Sequence, residues 1–394
     1  MTTRVGLLIT HPIQYYVPWY RGLAAVPGID LKVFFAHRQD AKGQAAAGYG
    51  VAFEWDIPLL DGYPYEFLTN VARRPSVSGF FGCDTPEIAG AIAAGGFDVF
   101  IVQGWHVKSY WQAIRACRKA GVPILVRGDS HLHTRRSWFR RAIKYIPYRW
   151  FIPTFDAYLV VGLWNREYYE HYGAAVSRMF AVPHAVDNQF FQMHRAKFEP
   201  ERAVHREAMG ISSDTVVFLF AGRLVAEKRP MDFLRALRIL VSEGRRVSGI
   251  ISGDGILKAE MQAYVREHQL PVTFVGFLNQ TEIPRAYALS DALVLPSRVA
   301  ETWGLVVNEA MASGLPALVS DGVGCGPDLI LPGETGWVYP AENIPALARV
   351  MRRLSDDPSI IKKMGAKAQE HIRQFSVEKA VEGTLKAIEH VKKS

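Results

Sequence analysis

The chain has 394 residues, 49% of them apolar and 21% charged, which excludes a disordered protein and suffices for two domains. No apolar run reaches the roughly 18 residues of a membrane span, and the N-terminal MTTRVGLLITHP is too short for a secretory signal. The net charge is +8, of which residues 1–190 carry +6, while Cys83, Cys117 and Cys325 stand apart as the reduced thiols of a cytoplasmic protein.

Short apolar runs alternate with helical patterns along most of the chain. In the first half, strands are expected at Val5–Ile9, Leu31–Ala36, Val99–Gln103, Ile124–Arg127 and Ala157–Val161, with helices at Lys108–Ala120 and Asn165–Tyr172. The second half repeats the rhythm with strands at Val216–Ala221, Ser248–Ser252, Val272–Val275, Ala292–Pro296 and Ala317–Ser320. Helices at Pro230–Glu243, Leu257–His268, Gln280–Leu289 and Val306–Gly314 separate them. Such alternation implies parallel sheets covered on both faces, so the fold class is α/β with two doubly wound domains. Pro183-His184-Ala185-Val186-Asp187 interrupts the pattern, and the domains are placed at residues 1–190 and 191–375. Residues 376–394 read as an amphipathic helix with no strand after it.

Several signatures are missing. There is no GxxxxGK[ST] loop, no HExxH and no Asp-x-Asp pair, and Lys258 takes the third-glycine position after Gly253-Asp254-Gly255. A nicotinamide dehydrogenase does not fit. The most informative stretch runs from Pro296-Ser297 through Glu301-Thr302-Trp303-Gly304 into a helix that carries Glu309. Gly304 permits a tight turn, and the amides at the following helix start can hold an anion. Glu301 would face the crevice at the strand's carboxyl end, where open α/β sheets bind ligands, and Glu309 could reach a hydroxyl of the same ligand. Read alone, the two also admit a lesser reading as an N-cap and a solvated helix carboxylate. Gly222-Arg223 with Glu227-Lys228 follows the strand Val216–Ala221, where an Arg fork and a Lys point charge suit a diphosphate. By itself that segment also fits a solvated basic loop. Both segments end on one sheet edge, and each strengthens the other.

The blocks AGRLVAEKRPMDFL, ISGDGILKAEM, VTFVGFLNQTEIPRAYALSDALVLPS, ETWGLVVNEAMASGLPALVSD and GETGWVYPAEN resemble, in order and spacing, those of family 4 retaining glycosyltransferases. The resemblance covers Val216 to Asn343 closely and PHAVDNQFF more weakly. It implies the GT-B fold, two Rossmann-like domains facing across a cleft, with the tail helix crossing back to the first. It further implies that Arg223 and Lys228 clamp the donor diphosphate, Glu301 binds hydroxyls of the transferred sugar, and Glu309 binds the ribose. The backbone at Trp303, Gly304 and Leu305 would hold sugar and phosphate oxygens, and Phe277 would lie beside the nucleobase. No metal and no cofactor beyond the nucleotide-sugar donor is expected.

The sequence departs from that family in two places. The family's Gly-Gly loop after its first strand is replaced by Thr10-His11-Pro12-Ile13-Gln14-Tyr15-Tyr16, where His11 or Gln14 is the candidate contact. The loop between Ser297 and Glu301 is one residue longer than usual. The family also places a histidine near the transferred sugar, and in Arg127-Gly128-Asp129-Ser130-His131 both Asp129 and His131 compete for that place, unless the loop merely caps the next helix.

Residues 127–149 hold seven basic side chains against one acid. Within residues 135–146, Trp138, Ala142, Tyr145 and Ile146 share one helical stripe, and Arg136, Arg140 and Lys144 a neighbouring one. That composition suits a helix on an anionic membrane or a core-facing stripe with a basic outer face. No pattern of nucleic-acid recognition accompanies it. The sequence therefore reads as a cytoplasmic, metal-independent, retaining glycosyltransferase with a sugar or glycolipid acceptor, in bacterial cell-surface polysaccharide or glycolipid synthesis. A nucleotide-sugar epimerase of the same fold and a non-catalytic nucleotide-sugar or polyanion-binding protein are the alternatives; a phosphorylase would need a second anion site.

Overall fold

The computed structural model describes residues 2–38, 53–133, 138–298 and 301–393. Seven strands form the first sheet: β1 Thr3–Ile9, β2 Ile29–Phe35, β3 Tyr65–Phe67, β4 Val99–Val102, β5 Ile124–Gly128, β6 Ala157–Val160 and β7 Met179–Ala181. Their order is β3-β2-β1-β4-β5-β6-β7. Six more form the second: β8 Val216–Ala221, β9 Val247–Ser252, β10 Val272–Gly276, β11 Ala292–Leu295, β12 Ala317–Ser320 and β13 Gly336–Tyr339. The order here is β10-β9-β8-β11-β12-β13. Neighbouring strands are parallel throughout both sheets. Two parallel sheets with helices on both faces, meeting across a cleft, make the GT-B fold.

Strand β8 shows why the sheets need two helical layers. All six residues of VVFLFA are buried. Their side chains alternate, so Val217 and Leu219 join one core while Val216, Phe218 and Phe220 join another on the opposite face. A continuous apolar run is therefore divided between two layers by the period-2 geometry of a strand. Strands β3, β7 and β13 lie beyond the expected set. The first two have three residues each, too short for periodicity to mark, and all three are outer strands.

The chain leaves the first sheet at β7, and Val186 and Phe191 already pack in the core of the second. The crossing thus falls within the 183–187 segment, a little ahead of residue 190. The last helix, Val377–Lys393, packs on the first sheet: Ala380, Ala387, Ile388 and Val391 share a core with Val5, Leu7 and Ile9 of β1. The Trp19 indole N–H donates to Thr384 Oγ1 at 3.1 Å inside that contact. Gly383 allows the approach, since a Cβ there would lie 1.9 Å from the Ala181 carbonyl oxygen.

Gly383→Ala is expected to cost about 1–3 kcal/mol by pushing this helix off β7, read as a lower urea midpoint. Gly90→Ala, in the helix Ile88–Gly95 with nothing within 4 Å of an added Cβ, should leave the midpoint unchanged or raise it. Equal effects of the two would rule out the close approach as the cause.

Candidate active site

The carboxyl edges of both sheets converge on a cavity of about 350 Å³, within the range of ligand sites. On the second domain, its wall starts where β8, β9 and β10 end side by side. Gly222 N donates to the Ser252 carbonyl at 3.0 Å, and Gly253 N to the Gly276 carbonyl at 2.7 Å. Gly253 has φ 139°, and a Cβ there would lie 1.9 Å from Gly222 O, so only glycine lets these strand ends meet. The exit from β8 then delivers Arg223 and Lys228 to the cavity.

The opposite side of this domain follows β11. Glu301 makes an isolated bridge to Val323, and Gly324 N donates to its carbonyl at 3.0 Å, so a backbone frame fixes the residue. The Glu301 carboxylate accepts from Ser297 Oγ at 3.0 Å and from the Lys228 ammonium. Residues 299 and 300 of the longer loop lie outside the described residues. Gly304, at φ 98°, turns the chain into the helix Leu305–Ala312. A Cβ on Gly304 would come within 2.9 Å of Leu295 Cδ2. The first amides of that helix have no intrahelical acceptor and open beside the cavity at Leu305 and Val306.

Glu309 sits in the same helix and is buried. Its carboxylate accepts from Tyr15 Oη at 2.9 Å and from Tyr287 Oη at 2.6 Å. Burial pushes its pKa from 4.5 up to about 7, against the pull of the two tyrosines. This rejects the reading of Glu309 as a solvated helix residue. Tyr15 belongs to the loop after β1, so the bond to Glu309 ties the two domains together. Its sequence neighbours His11 and Gln14 were legible as candidates, whereas nothing local marks Tyr15 or Tyr287.

Of the residues nominated from sequence, Gln14, Asp129, Arg223, Lys228, Phe277, Glu301, Trp303, Gly304, Leu305 and Glu309 line this one cavity. His11 and His131 are not among its lining residues. His11 bonds to Thr10 Oγ1 through Nδ1 at 3.0 Å, and burial lowers its pKa to about 4. His131 is buried, its ring 5.2 Å from that of Trp164, and its Nδ1 accepts from the His133 amide at 3.2 Å. Asp129 instead reaches across the cleft and accepts from Thr302 Oγ1 at 2.9 Å.

Trp303 plays a second part that its sequence position did not show. The indole is buried, donates to Asn308 Oδ1 at 2.8 Å, and lies 5.4 Å from the His184 ring. Asn308 in turn donates to the His184 carbonyl at 3.1 Å. The side chain is thus a wedge between domains, while only its backbone belongs to the loop before the helix. Phe277 packs at 4.3 Å on Phe53 of the first domain. Beside it, Asn279 donates to the Glu54 carbonyl at 2.7 Å and the Thr281 amide to Asp56 at 3.0 Å. Trp55 from this strap lines the cavity as well. Among the described residues, no group of three or more His, Cys, Asp or Glu side chains could hold a metal ion.

The same fold recurs in solved structures. The Anabaena Alr3699/HepE structure in complex with UDP aligns over 99% of this chain and 100% of its own, with a TM-score of 0.72 at 16% identity. A glycosyltransferase from Rickettsia africae aligns over 99% and 98%, with a TM-score of 0.73 at 14% identity. At such identities the likeness concerns the fold. Residues 201–371, most of the second domain, match the family described as Glycosyl transferases group 1. A D-inositol 3-phosphate glycosyltransferase of Streptomyces bingchenggensis is 32% identical over 234 residues, 55% of this chain and 49% of that protein. An alpha-D-kanosaminyltransferase of Streptomyces kanamyceticus is 34% identical over 179 residues, 45% of this chain and 46% of that protein. The matches thus span about half the length of these curated relatives.

Because folded Glu309 keeps a proton that the unfolded chain releases, stability should fall as pH rises from about 4.5 to about 7. The loss attributable to this group is on the order of 3 kcal/mol. Glu309→Gln should flatten that part of the curve, as followed by urea unfolding at pH values across the window. Parallel curves for the two proteins would show that Glu309 ionises normally.

Proposed function

We propose that this chain is a retaining, metal-independent glycosyltransferase that moves a sugar from a nucleotide-diphosphate sugar to an acceptor hydroxyl. The observation that carries this reading is the meeting of Arg223, Lys228, Glu301 and Glu309 in one cavity between two parallel sheets. The group 1 family match of the second domain supports it. A uridine donor is the first choice, because the solved Alr3699/HepE structures hold UDP and UDP-glucose.

In this mechanism Arg223, Lys228 and the first amides after Gly304 stabilise the charge that builds on the departing diphosphate, taking the part a cation would otherwise play. Glu301 holds sugar hydroxyls, Glu309 the ribose, and Phe277 the base. Asp129 stands opposite Thr302 at the place where the sugar meets the first domain. The acceptor hydroxyl attacks from the face the leaving group vacates, and the departing β-phosphate takes its proton. Domain closure excludes water from the cavity.

A membrane-borne acceptor, cytoplasmic and part of cell-surface polysaccharide or glycolipid synthesis, is the second element of the proposal. No helix among the described residues is long and apolar enough to cross a membrane. The helix Trp138–Phe151 nonetheless presents Phe139, Ile143, Ile146 and Trp150, spaced four, three and four residues apart, with Trp150 79% exposed. Its inner side packs through Tyr148 and Phe151 around Trp105. Ala142, Tyr145 and Ile146 of the stripe read in the sequence are exposed as well; Arg135 and Arg136 lie outside the described residues. Lys144 and Arg149 supply positive charge beside it. Such a face suits an anionic bilayer.

Calorimetric titration with UDP should show binding that EDTA leaves unchanged and that Arg223→Ala weakens about 10- to 100-fold, as for loss of charge-assisted hydrogen bonds. Glu301→Ala should abolish transfer with the urea midpoint retained; surviving transfer would remove Glu301 from the site. Trp150→Glu should release the chain from phosphatidylglycerol vesicles in a flotation assay, and unchanged flotation would remove this helix as the membrane contact.

A further inference from the structure

A second cavity, of about 180 Å³, opens in the first domain where β1, β4 and β5 end. The strand order reverses between β1 and β4, so this is the crevice where a doubly wound sheet exposes its strand ends. Tyr16 and Asp129 line both this cavity and the donor cavity, which makes the two contiguous.

Its lining holds two buried donors with unmade bonds. Gln103 follows β4 and is 9% exposed; its carboxamide nitrogen has no hydrogen-bond partner. Arg127 in β5 is 3% exposed, and its Nε–H has no partner either. Val102 pairs with Val126 across these strands, so Gln103 and Arg127 occupy the next step of the register side by side. Parallel neighbours at one register position project to the same face, which brings the two donors together.

Arg127 is also a buried cation with no carboxylate at ion-pair distance among the described residues. Its guanidinium lies over the rings of Tyr16 and Trp19, at 4.9 and 5.1 Å from their centroids. It also bonds to the Tyr16 hydroxyl and approaches His184 Nδ1 at 3.4 Å, and His184 is held neutral by burial and by Arg127 itself. Aromatic faces offset part of the cost of burying this charge, but they leave Nε–H unsatisfied. Asp129, the acid of the cavity, stands at its border with the donor site and is engaged by Thr302.

We infer that this cavity is the subsite for an anionic group of the acceptor, a phosphate or a carboxylate, taken by Arg127 and Gln103 while the acceptor's hydroxyl points past Asp129 into the donor cavity. The inference rests on the transferase reading and names its acceptor class. An anion supplies Arg127 with the opposite charge it lacks and gives both donors an acceptor.

The test is calorimetric titration of the full chain, saturated with UDP, by glucose 6-phosphate, glucuronate and glucose. One of the two anions should bind at least tenfold more tightly than glucose, and the tighter of them assigns phosphate or carboxylate. Gln103→Leu should lose at least tenfold of that affinity while UDP binding stays within twofold of the parent. Arg127→Lys, which keeps the charge but loses the fork, should lose a similar factor and guards against a Gln103 variant that fails through folding. Equal binding of glucose and the anions, or anion binding unchanged in both variants, would overturn the inference. So would anion binding abolished by Arg223→Ala, which would place it in the donor cavity. Failure of UDP itself to bind would sink the donor reading instead, and the same titrations without nucleotide would still decide this one.

Discussion

Because neighbouring strands run parallel in both sheets, each sheet has a single carboxyl edge, and the loops leaving those edges carry the polar side chains of the cleft. Parallel pairing demands crossover helices, and the helices demand apolar strands on both faces, as in β8 with its six buried residues. The apolar runs that fix the core and the polar loops that form the cavity are thus two consequences of one strand direction. Glycine is needed where loops must cross at van der Waals distance, at Gly253 against Gly222, and where a loop must turn at once into a helix, at Gly304.

The polar groups of the cavity are already engaged with one another. Lys228 bonds to Glu301, Tyr15 to Glu309, and Thr302 to Asp129. Two of these three bonds join the first domain to the second. A ligand entering here does not meet bare charges; it exchanges partners, so its gain is the difference between two sets of hydrogen bonds. Phe53 against Phe277 makes the same point for an apolar contact, since a base placed on Phe277 must displace or share that ring.

Much of the second domain was legible because its signals are local. Strand Val216–Ala221 and the loop with Arg223 and Lys228 are contiguous in sequence, as are Glu301, Gly304 and Glu309. Ten of the twelve nominated residues line one cavity because loop and helix starts of doubly wound sheets fall at predictable places. What escaped depends on contacts between distant segments. Tyr15 and Glu309 are 294 residues apart, and nothing in either neighbourhood specifies the other. That Asp129 and not His131 lines the cavity depends on which side of a short loop faces Thr302, a matter of tertiary placement. The exposed face of the helix Trp138–Phe151 is wider than the stripe read in the sequence for a related reason. Periodicity finds the apolar positions of a helix, but only the neighbours Trp105 and Tyr172 decide which of them are covered.

The last helix has a consequence for how the protein is made. Residues 380, 387, 388 and 391 complete the core under β1, although the whole second domain separates them from it in sequence. During translation that face of the first sheet waits, apolar and uncovered, while the whole second domain is added. The N-terminal half therefore cannot finish folding as an independent unit. Its core is closed only by a segment that follows the second domain, so the first sheet is completed after the second has been made.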